Sequence, residues 1–143
     1  MGPYDFHGFE ELSRAQCLSL LREESVGRVG LSVGALPAIF PVNFAMDGED
    51  IVFRTGPGTK FDAALRNNVV AFEIDGIDRD TATGWSVLAQ GTACQIHDGS
   101  PEIRQAMKLD LDPWVPGGRF NFVRIPTQLL TGRRITDGES HAG

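Results

Sequence analysis

The chain has 143 residues and a formal net charge of −6, with 41% hydrophobic and 22% charged residues. This length suits one domain, and it is enough to bury a core without disulfide or metal staples. The acidic balance argues against a nucleic-acid-binding protein, which needs a basic face. No apolar run approaches the roughly 20 residues that span a bilayer, and no secretory signal is visible at the start, so we expect a cytoplasmic protein without a membrane partner.

The cysteines and histidines predict no metal site. Cys17 and Cys94 stand far apart, and His7, His97 and His141 form no ligand spacing with them. No G-x-S-x-G nucleophile elbow is present. The 17 glycines and 8 prolines indicate many tight turns between short strands.

The first half of the chain predicts a helix followed by strands. Residues 1–9 are expected to form a flexible arm before a domain over 10–136. Ser13 suits the N-cap of an amphipathic helix over 13–24, and a second, short helix is predicted over 59–67. Alternating apolar residues predict strands over 27–33, 38–46, 51–55 and 69–75.

The second half predicts longer strands and a polar end. A polar loop over 76–83 precedes a long strand over 84–96 that bends at Gly91. Residues 137–143 are expected to form a flexible tail. The remaining predictions are a helix over 101–109, a surface loop over 111–118 and strands over 120–125 and 129–135.

These elements predict a mainly β fold with flanking helices. Six or seven strands joined by hairpin-length connections indicate an antiparallel sheet closed into a barrel, with helices outside. Strands and helices do not alternate regularly, which argues against a doubly wound parallel sheet.

The segment 53–60, Phe-Arg-Thr-Gly-Pro-Gly-Thr-Lys, has the groups that bind a phosphate. Arg54 offers a guanidinium fork, Lys60 a point charge, and Thr55 and Thr59 hydroxyls. The intervening glycines allow close approach of the backbone, next to a new helix. The spacing is not that of a P-loop, and a simple hairpin-to-helix turn with two solvated cations is the alternative interpretation.

Three other segments contain candidate binding residues. A proline within a strand, as in Pro41-Val42-Asn43, indicates an edge whose backbone could pair with a planar heterocycle. Trp85-Ser86-Val87 could stack on a flat ligand, or Trp85 could fill the core. Arg133 and Arg134 lie on opposite faces of a strand, so only one of them can face a given pocket.

Taken in order, these segments resemble the FMN-binding split-barrel superfamily, in the pyridoxamine 5'-phosphate oxidase-like branch that includes nitroimidazole-resistance proteins. The resemblance covers residues 10–136. It implies a six-stranded antiparallel split β-barrel that forms a homodimer, with flavin mononucleotide in a cleft between protomers. It also implies hydride transfer between the flavin and a small-molecule substrate, with the redox chemistry supplied by the cofactor and no conventional acid–base dyad.

The resemblance assigns cofactor-binding roles residue by residue. The phosphate would be held by Arg54, Thr55, Thr59 and Lys60. The isoalloxazine would be lined by Pro41, Val42, Asn43, Trp85, Ser86 and Val87, with Arg133 or Arg134 approaching from a strand end.

Several functions remain open at this stage. The chain is too short for the C-terminal extension of true pyridoxamine phosphate oxidases, which makes vitamin B6 oxidation doubtful. The alternatives are a deazaflavin-dependent reductase, a protein that binds FAD, and a flavin carrier or sensor without turnover.

Overall fold

Nine strands and two helices form the part of the chain that the structure describes, residues 9–96, 106 and 120–136 of a computed structural model. They are β1 (Phe9–Glu11), α1 (Arg14–Glu23), β2 (Val26–Val33), β3 (Leu36–Asp47), β4 (Asp50–Thr55), α2 (Lys60–Leu65), β5 (Val69–Asp78), β6 (Thr83–Thr92), β7 (Cys94–Ile96), β8 (Asn121–Pro126) and β9 (Leu129–Ile135). The predicted arm up to residue 8, the loop 111–118, the tail and His97 lie outside the described residues. So does the helix over 101–109, except for Ala106, which is helical.

The strands form two antiparallel sheets that share β3. Its residues 36–43 pair with β2 in the larger sheet, and its residues 44–47 pair with β4 in the smaller sheet. The full strand order is β1-β9-β6-β5-β2-β3-β4-β8-β7. Within the described residues the ladder ends at β1 and β7 and does not close into a ring, so the expectation of a closed barrel is wrong, whereas the open ladder agrees with the split-barrel fold.

The mainly β class is confirmed, but the expected number of six strands is wrong, since the described residues form nine. The short strands β1 and β7 have three residues each, too few to show a periodic pattern. The predicted loop over 76–83 is shorter in the structure, because β5 runs to Asp78 and β6 begins at Thr83, so only residues 79–82 form the turn. Ile77, 74% exposed, continues the outward-facing residues of β5.

The predicted long strand over 84–96 is interrupted at Ala93 rather than bent at Gly91. The Ala93 N–H donates to the Asn68 carbonyl at 2.8 Å, and the Asn67 N–H donates to the Ala93 carbonyl at 3.0 Å. These two hydrogen bonds hold the chain where it leaves the larger sheet as β6 and enters the smaller one as β7.

The first half of β3 is an edge, as the proline in it predicts. Phe44 N–H donates to the Ser25 carbonyl of the β2 side at 2.9 Å. Because amides alternate in direction along a strand, those at residues 37, 39 and 41 point away from β2. Pro37 and Pro41 have no N–H to donate there, and among the described strands none pairs with residues 36–42 on this side. The prolines therefore occupy positions where no ladder bond is lost.

The core lies between the two sheets and is closed on one side by α1. Phe44 and Phe72 pack edge-to-face with ring centroids 4.8 Å apart, and both are almost fully buried. The predicted N-cap of α1 is confirmed, since Ser13 forms a capping box with Gln16. The helix packs on β9 at Gly132, where an added Cβ would lie 2.5 Å from Cys17 Sγ.

Candidate functional site

The turn 56–59 joins the end of β4 to the start of α2. Thr59 caps α2, because its Oγ1 accepts a hydrogen bond from the Asp62 N–H at 3.0 Å and donates one to the Gly56 carbonyl at 2.9 Å. Gly58 has a φ of +77°, a conformation that glycine adopts at no steric cost. An added Cβ at Gly58 would meet nothing within 4 Å, so the turn faces open space.

Two cations flank this turn. Arg54 is half-buried near the end of β4, with its guanidinium carbon 4.9 Å from the centre of the Phe120 ring. Lys60 is exposed at the first position of α2, and with the described residues it forms no salt bridge. A chain with a net charge of −6 therefore presents two positive charges beside one short turn.

The hydroxyl of Thr55 is already engaged inside the protein. Its Oγ1 donates to Asp62 Oδ1 at 2.6 Å, and both residues are buried. Asn121 Nδ2 lies 3.1 Å from each Asp62 carboxylate oxygen, and Arg66 Nη2 lies 3.5 Å from Oδ2. Burial raises the pKa of Asp62, but the hydrogen bonds from Thr55 and Asn121 and the Arg66 charge outweigh it, so the net pKa is lowered.

Asp62 was not predicted as a site residue. A threonine followed three residues later by an aspartate indicates the start of a helix. Nothing in the local sequence indicates that the carboxylate is buried against Asn121, which is 59 residues away along the chain.

The segment 41–43 lies beside the turn. The β3–β4 pairing ends at Phe44 and Phe53, so Asn43 and Arg54 are the first residues beyond the last pair of the two strands. Pro41 is exposed on the edge, whereas the Val42 side chain is buried in the core. Asn43 is half-buried and lies on the same face of β3 as Pro41, so the side chains of these two residues, and not that of Val42, reach the outer face.

The predicted residues of β6 divide between the two faces of the larger sheet. Val87 is 1% exposed and belongs to the core, and Trp85 packs against that core from the same face. Ser86 and its β9 partner Arg133 point to the outer face, while Arg134 pairs with Trp85 on the inner one. The prediction that the two arginines lie on opposite faces is confirmed.

Within the chain the predicted residues form two separate groups. Asn43 pairs with Val26 of β2 and Ser86 pairs with Asp75 of β5, and extending the β2–β5 register by two residues beyond Arg28 and Glu73 aligns Val26 with Asp75. Three strand spacings of about 4.8 Å put these two residues about 14 Å apart. Ser86 therefore lies three strands across the sheet from Asn43.

Two open grooves run along the β5–β6 hairpin. One, of about 560 Å³, is lined by Gly76, Trp85 and Arg134. The other, of about 470 Å³, is lined by Glu73, Asp75 and Ser86 and shares Trp85 with the first. The turn 56–59 lies outside both grooves.

The outer face of the larger sheet exposes an apolar surface. The alternation of buried and exposed residues along β2, β5 and β6 assigns each side chain to a face. Seven large hydrophobic residues on the outer face are at least 36% exposed: Val26, Ile39, Val69, Ile77, Leu88, Leu129 and Ile135. These residues surround an ion cluster on the same face, in which Arg28 pairs with Glu73 and Asp75.

Among residues 9–96, 106 and 120–136, no group of histidine, cysteine, aspartate and glutamate side chains could hold a metal ion. Within the same residues, no helix is long and apolar enough to cross a membrane.

The open ladder of antiparallel strands around one core is the fold of a split barrel. The family model described as pyridoxamine 5'-phosphate oxidase matches residues 13–134. The chain therefore belongs to the pyridoxamine 5'-phosphate oxidase-like family, and the resemblance inferred from the sequence is confirmed.

Three relatives illustrate this relationship. The FAD binding protein of Mycobacterium smegmatis is 35% identical, with a TM-score of 0.78 over 88% of this chain and 99% of that chain. An uncharacterized protein of Mycobacterium tuberculosis is 36% identical over 130 residues, 87% of this chain and 84% of the relative. A Bacteroides thetaiotaomicron protein named for 5-nitroimidazole antibiotic resistance shares the fold at 17% identity, with a TM-score of 0.69 over 91% of this chain and 90% of that chain.

Proposed function

We propose that this chain binds a flavin nucleotide and transfers hydride between the flavin and a small-molecule substrate. The observation that carries the proposal is the pair of cations, Arg54 and Lys60, beside a turn that borders the open edge of β3. FMN is the first candidate. FAD is the second, because the Mycobacterium smegmatis relative is named for binding it.

The residues present fit such a cofactor. A phosphate ester carries negative charge that the Arg54 fork and the Lys60 ammonium can neutralise. Among the described strands none pairs with the outer edge of β3 near Pro41, and backbone groups on this edge can pair with the polar rim of a planar heterocycle. The Thr59 hydroxyl is engaged within the turn, where it donates to the Gly56 carbonyl and accepts from the Asp62 N–H, so its role is to shape the turn.

The bound flavin would supply the redox chemistry by accepting or giving a hydride. The protein would anchor the phosphate through Arg54 and Lys60 and hold the ring plane against the β3 edge. Its remaining task is to orient a substrate on the exposed face of the ring, and this proposal requires no acid–base dyad.

The second part of the proposal is a homodimer formed through the outer face of the larger sheet. Two observations support it, the seven exposed hydrophobic residues on this face and the separation of about 14 Å between Asn43 and Ser86. A cofactor held by the turn of one protomer would be bordered by Ser86 and Arg133 of the partner subunit. Such a cleft requires two copies of the chain.

A flavin titration tests the cofactor site. The double variant Arg54→Ala, Lys60→Ala removes two charge-assisted contacts of about 1.5–3 kcal/mol each, so FMN and FAD affinity should fall at least about hundredfold. Fluorescence quenching of the flavin measures the affinity. The control is Arg22→Ala, which removes an exposed cation of α1 and should leave affinity unchanged. Unchanged affinity in the double variant would refute the assignment.

Absorption spectra separate the remaining functions. Flavin bands near about 450 nm that bleach when NADPH is added would support a redox-active flavoprotein. Bands that NADPH and candidate substrates never bleach would favour a carrier or sensor. A protein that binds only a deazaflavin would favour the reductase alternative.

A further inference from the structure

Asp62 connects three elements beneath the cationic turn. Its carboxylate accepts hydrogen bonds from Thr55 at the end of β4 and from Asn121 at the start of β8, and it forms an ion pair with Arg66 just after α2. The side chain is 2% exposed, so the carboxylate itself does not reach a ligand in the open turn. Its function must then be exerted through the residues that it holds.

The Thr55–Asp62 hydrogen bond joins the two ends of the turn that the cations flank. Arg54 directly precedes Thr55, and Lys60 lies two residues before Asp62. Between them lies a turn containing two glycines, whose many conformations are costly to restrict. The 2.6 Å contact and the Thr59 cap fix both ends of this turn before any ligand binds.

A threonine hydroxyl has one proton to donate. Thr55 gives that proton to a buried carboxylate that stays ionised, since its hydrogen bonds and Arg66 lower its pKa. A phosphate oxygen has no proton with which to replace this donor. If a phosphate oxygen accepted the Thr55 proton in place of Asp62, the Asp62 carboxylate would lose its donor and face the anionic phosphate. Two unpaired anionic oxygens close together in a buried position are energetically costly.

We propose that Asp62 is the positioning residue of the phosphate-binding turn and that Thr55 acts through Asp62 rather than by contacting the phosphate. This inference rests on the proposed function, and it reassigns one residue of the proposed phosphate group. Arg54 and Lys60 remain the direct contacts.

A double-mutant cycle with Thr55→Val and Asp62→Ala tests the inference. Each single variant should weaken FMN binding about tenfold, because each leaves a buried polar partner unsatisfied. In the Asp62→Ala background, Thr55→Val should have almost no further effect. Additive losses would mean that Thr55 contacts the phosphate directly, and they would overturn the inference.

Riboflavin, which lacks the phosphate, distinguishes positioning from general destabilisation. Each variant should lose affinity for FMN while its riboflavin affinity stays within about twofold of the wild-type value, since the ring-binding edge of β3 is intact. Equal losses for both ligands would indicate a merely structural role.

The conservative variant Asp62→Asn tests whether FMN affinity can be restored without the charge. Its amide oxygen can accept from Thr55, and Asn121 can rotate its own amide to pair with the new nitrogen, so FMN affinity should recover most of the loss seen with Asp62→Ala. Tighter FMN binding than wild type would instead show that Asp62 acts only as a repulsive charge. Wild-type protein that binds no flavin would refute the proposed function itself, whereas flavin binding unaffected by Asp62→Ala would refute only the positioning role.

Discussion

Gly27 has no side chain because the Phe72 ring occupies the space where one would be. An added Cβ would lie 2.2 Å from Phe72 Cζ, with two more ring atoms at 2.8 and 2.9 Å. Contacts under 3.0 Å are essentially absent for real Cβ atoms, so the ring would have to retreat by about 0.8 Å. Phe72 is fully buried among core residues, so it cannot move toward solvent. Overpacking of this kind costs about 1–3 kcal/mol.

Gly30 provides a matched control on the same strand. Its added Cβ would lie 3.8 Å from Ala71 Cβ, an ordinary contact. The backbone effect of glycine to alanine is common to both variants, so it cancels in the comparison. Urea unfolding at one protein concentration should show Gly27→Ala less stable than Gly30→Ala by about 1–3 kcal/mol. Equal stability of the two variants would refute the assignment of Gly27 to a steric role.

Two further predictions concern the outer face of the larger sheet. Ile39→Asp should convert the proposed dimer, of about twice 15.5 kDa, to monomer in light scattering, whereas Leu36→Asp, equally exposed at 72% but off that face, should not. Burial and the Asp75 carboxylate raise the pKa of Glu73 to about 7, so the folded chain keeps a proton there that the unfolded chain loses above about pH 4.5. The free energy of unfolding should therefore fall as pH rises from about 4.5 to 7, and Glu73→Gln should flatten this dependence in urea titrations. A monomeric wild type, or an unchanged pH dependence in Glu73→Gln, would contradict these expectations.

The sequence predicted correctly the features that depend on residues close together in the chain. Ser13 and Gln16 form the capping box at the start of α1, and the apolar stripe after them matches the buried side of that helix. Pro41 marked an edge because a missing N–H is tolerated only there. These features depend on residues that are close in sequence, so the sequence alone reveals them.

Features that depend on distant partners were missed. The break at Ala93 is fixed by hydrogen bonds with Asn67 and Asn68, whose position is set by α2 and not by the residues around the break. Asp62 is an ordinary helix-start residue by sequence, and its burial depends on Asn121. The residues of β5 and β6 next to their connecting turn are mostly polar. The alternation of apolar and polar residues that indicates a strand is therefore not visible in this part of the sequence.

The two prolines of β3 also determine what kind of molecule can use its open edge. A polypeptide strand adding to this edge needs a donor at every second residue, and Pro37 and Pro41 remove two of the three at residues 37, 39 and 41, leaving only that of Ile39. A peptide or a neighbouring β-protein therefore cannot complete a ladder there, which protects the chain from edge-to-edge aggregation. A compact heterocycle needs only a few adjacent backbone groups, so the edge excludes polymers and still admits a small molecule.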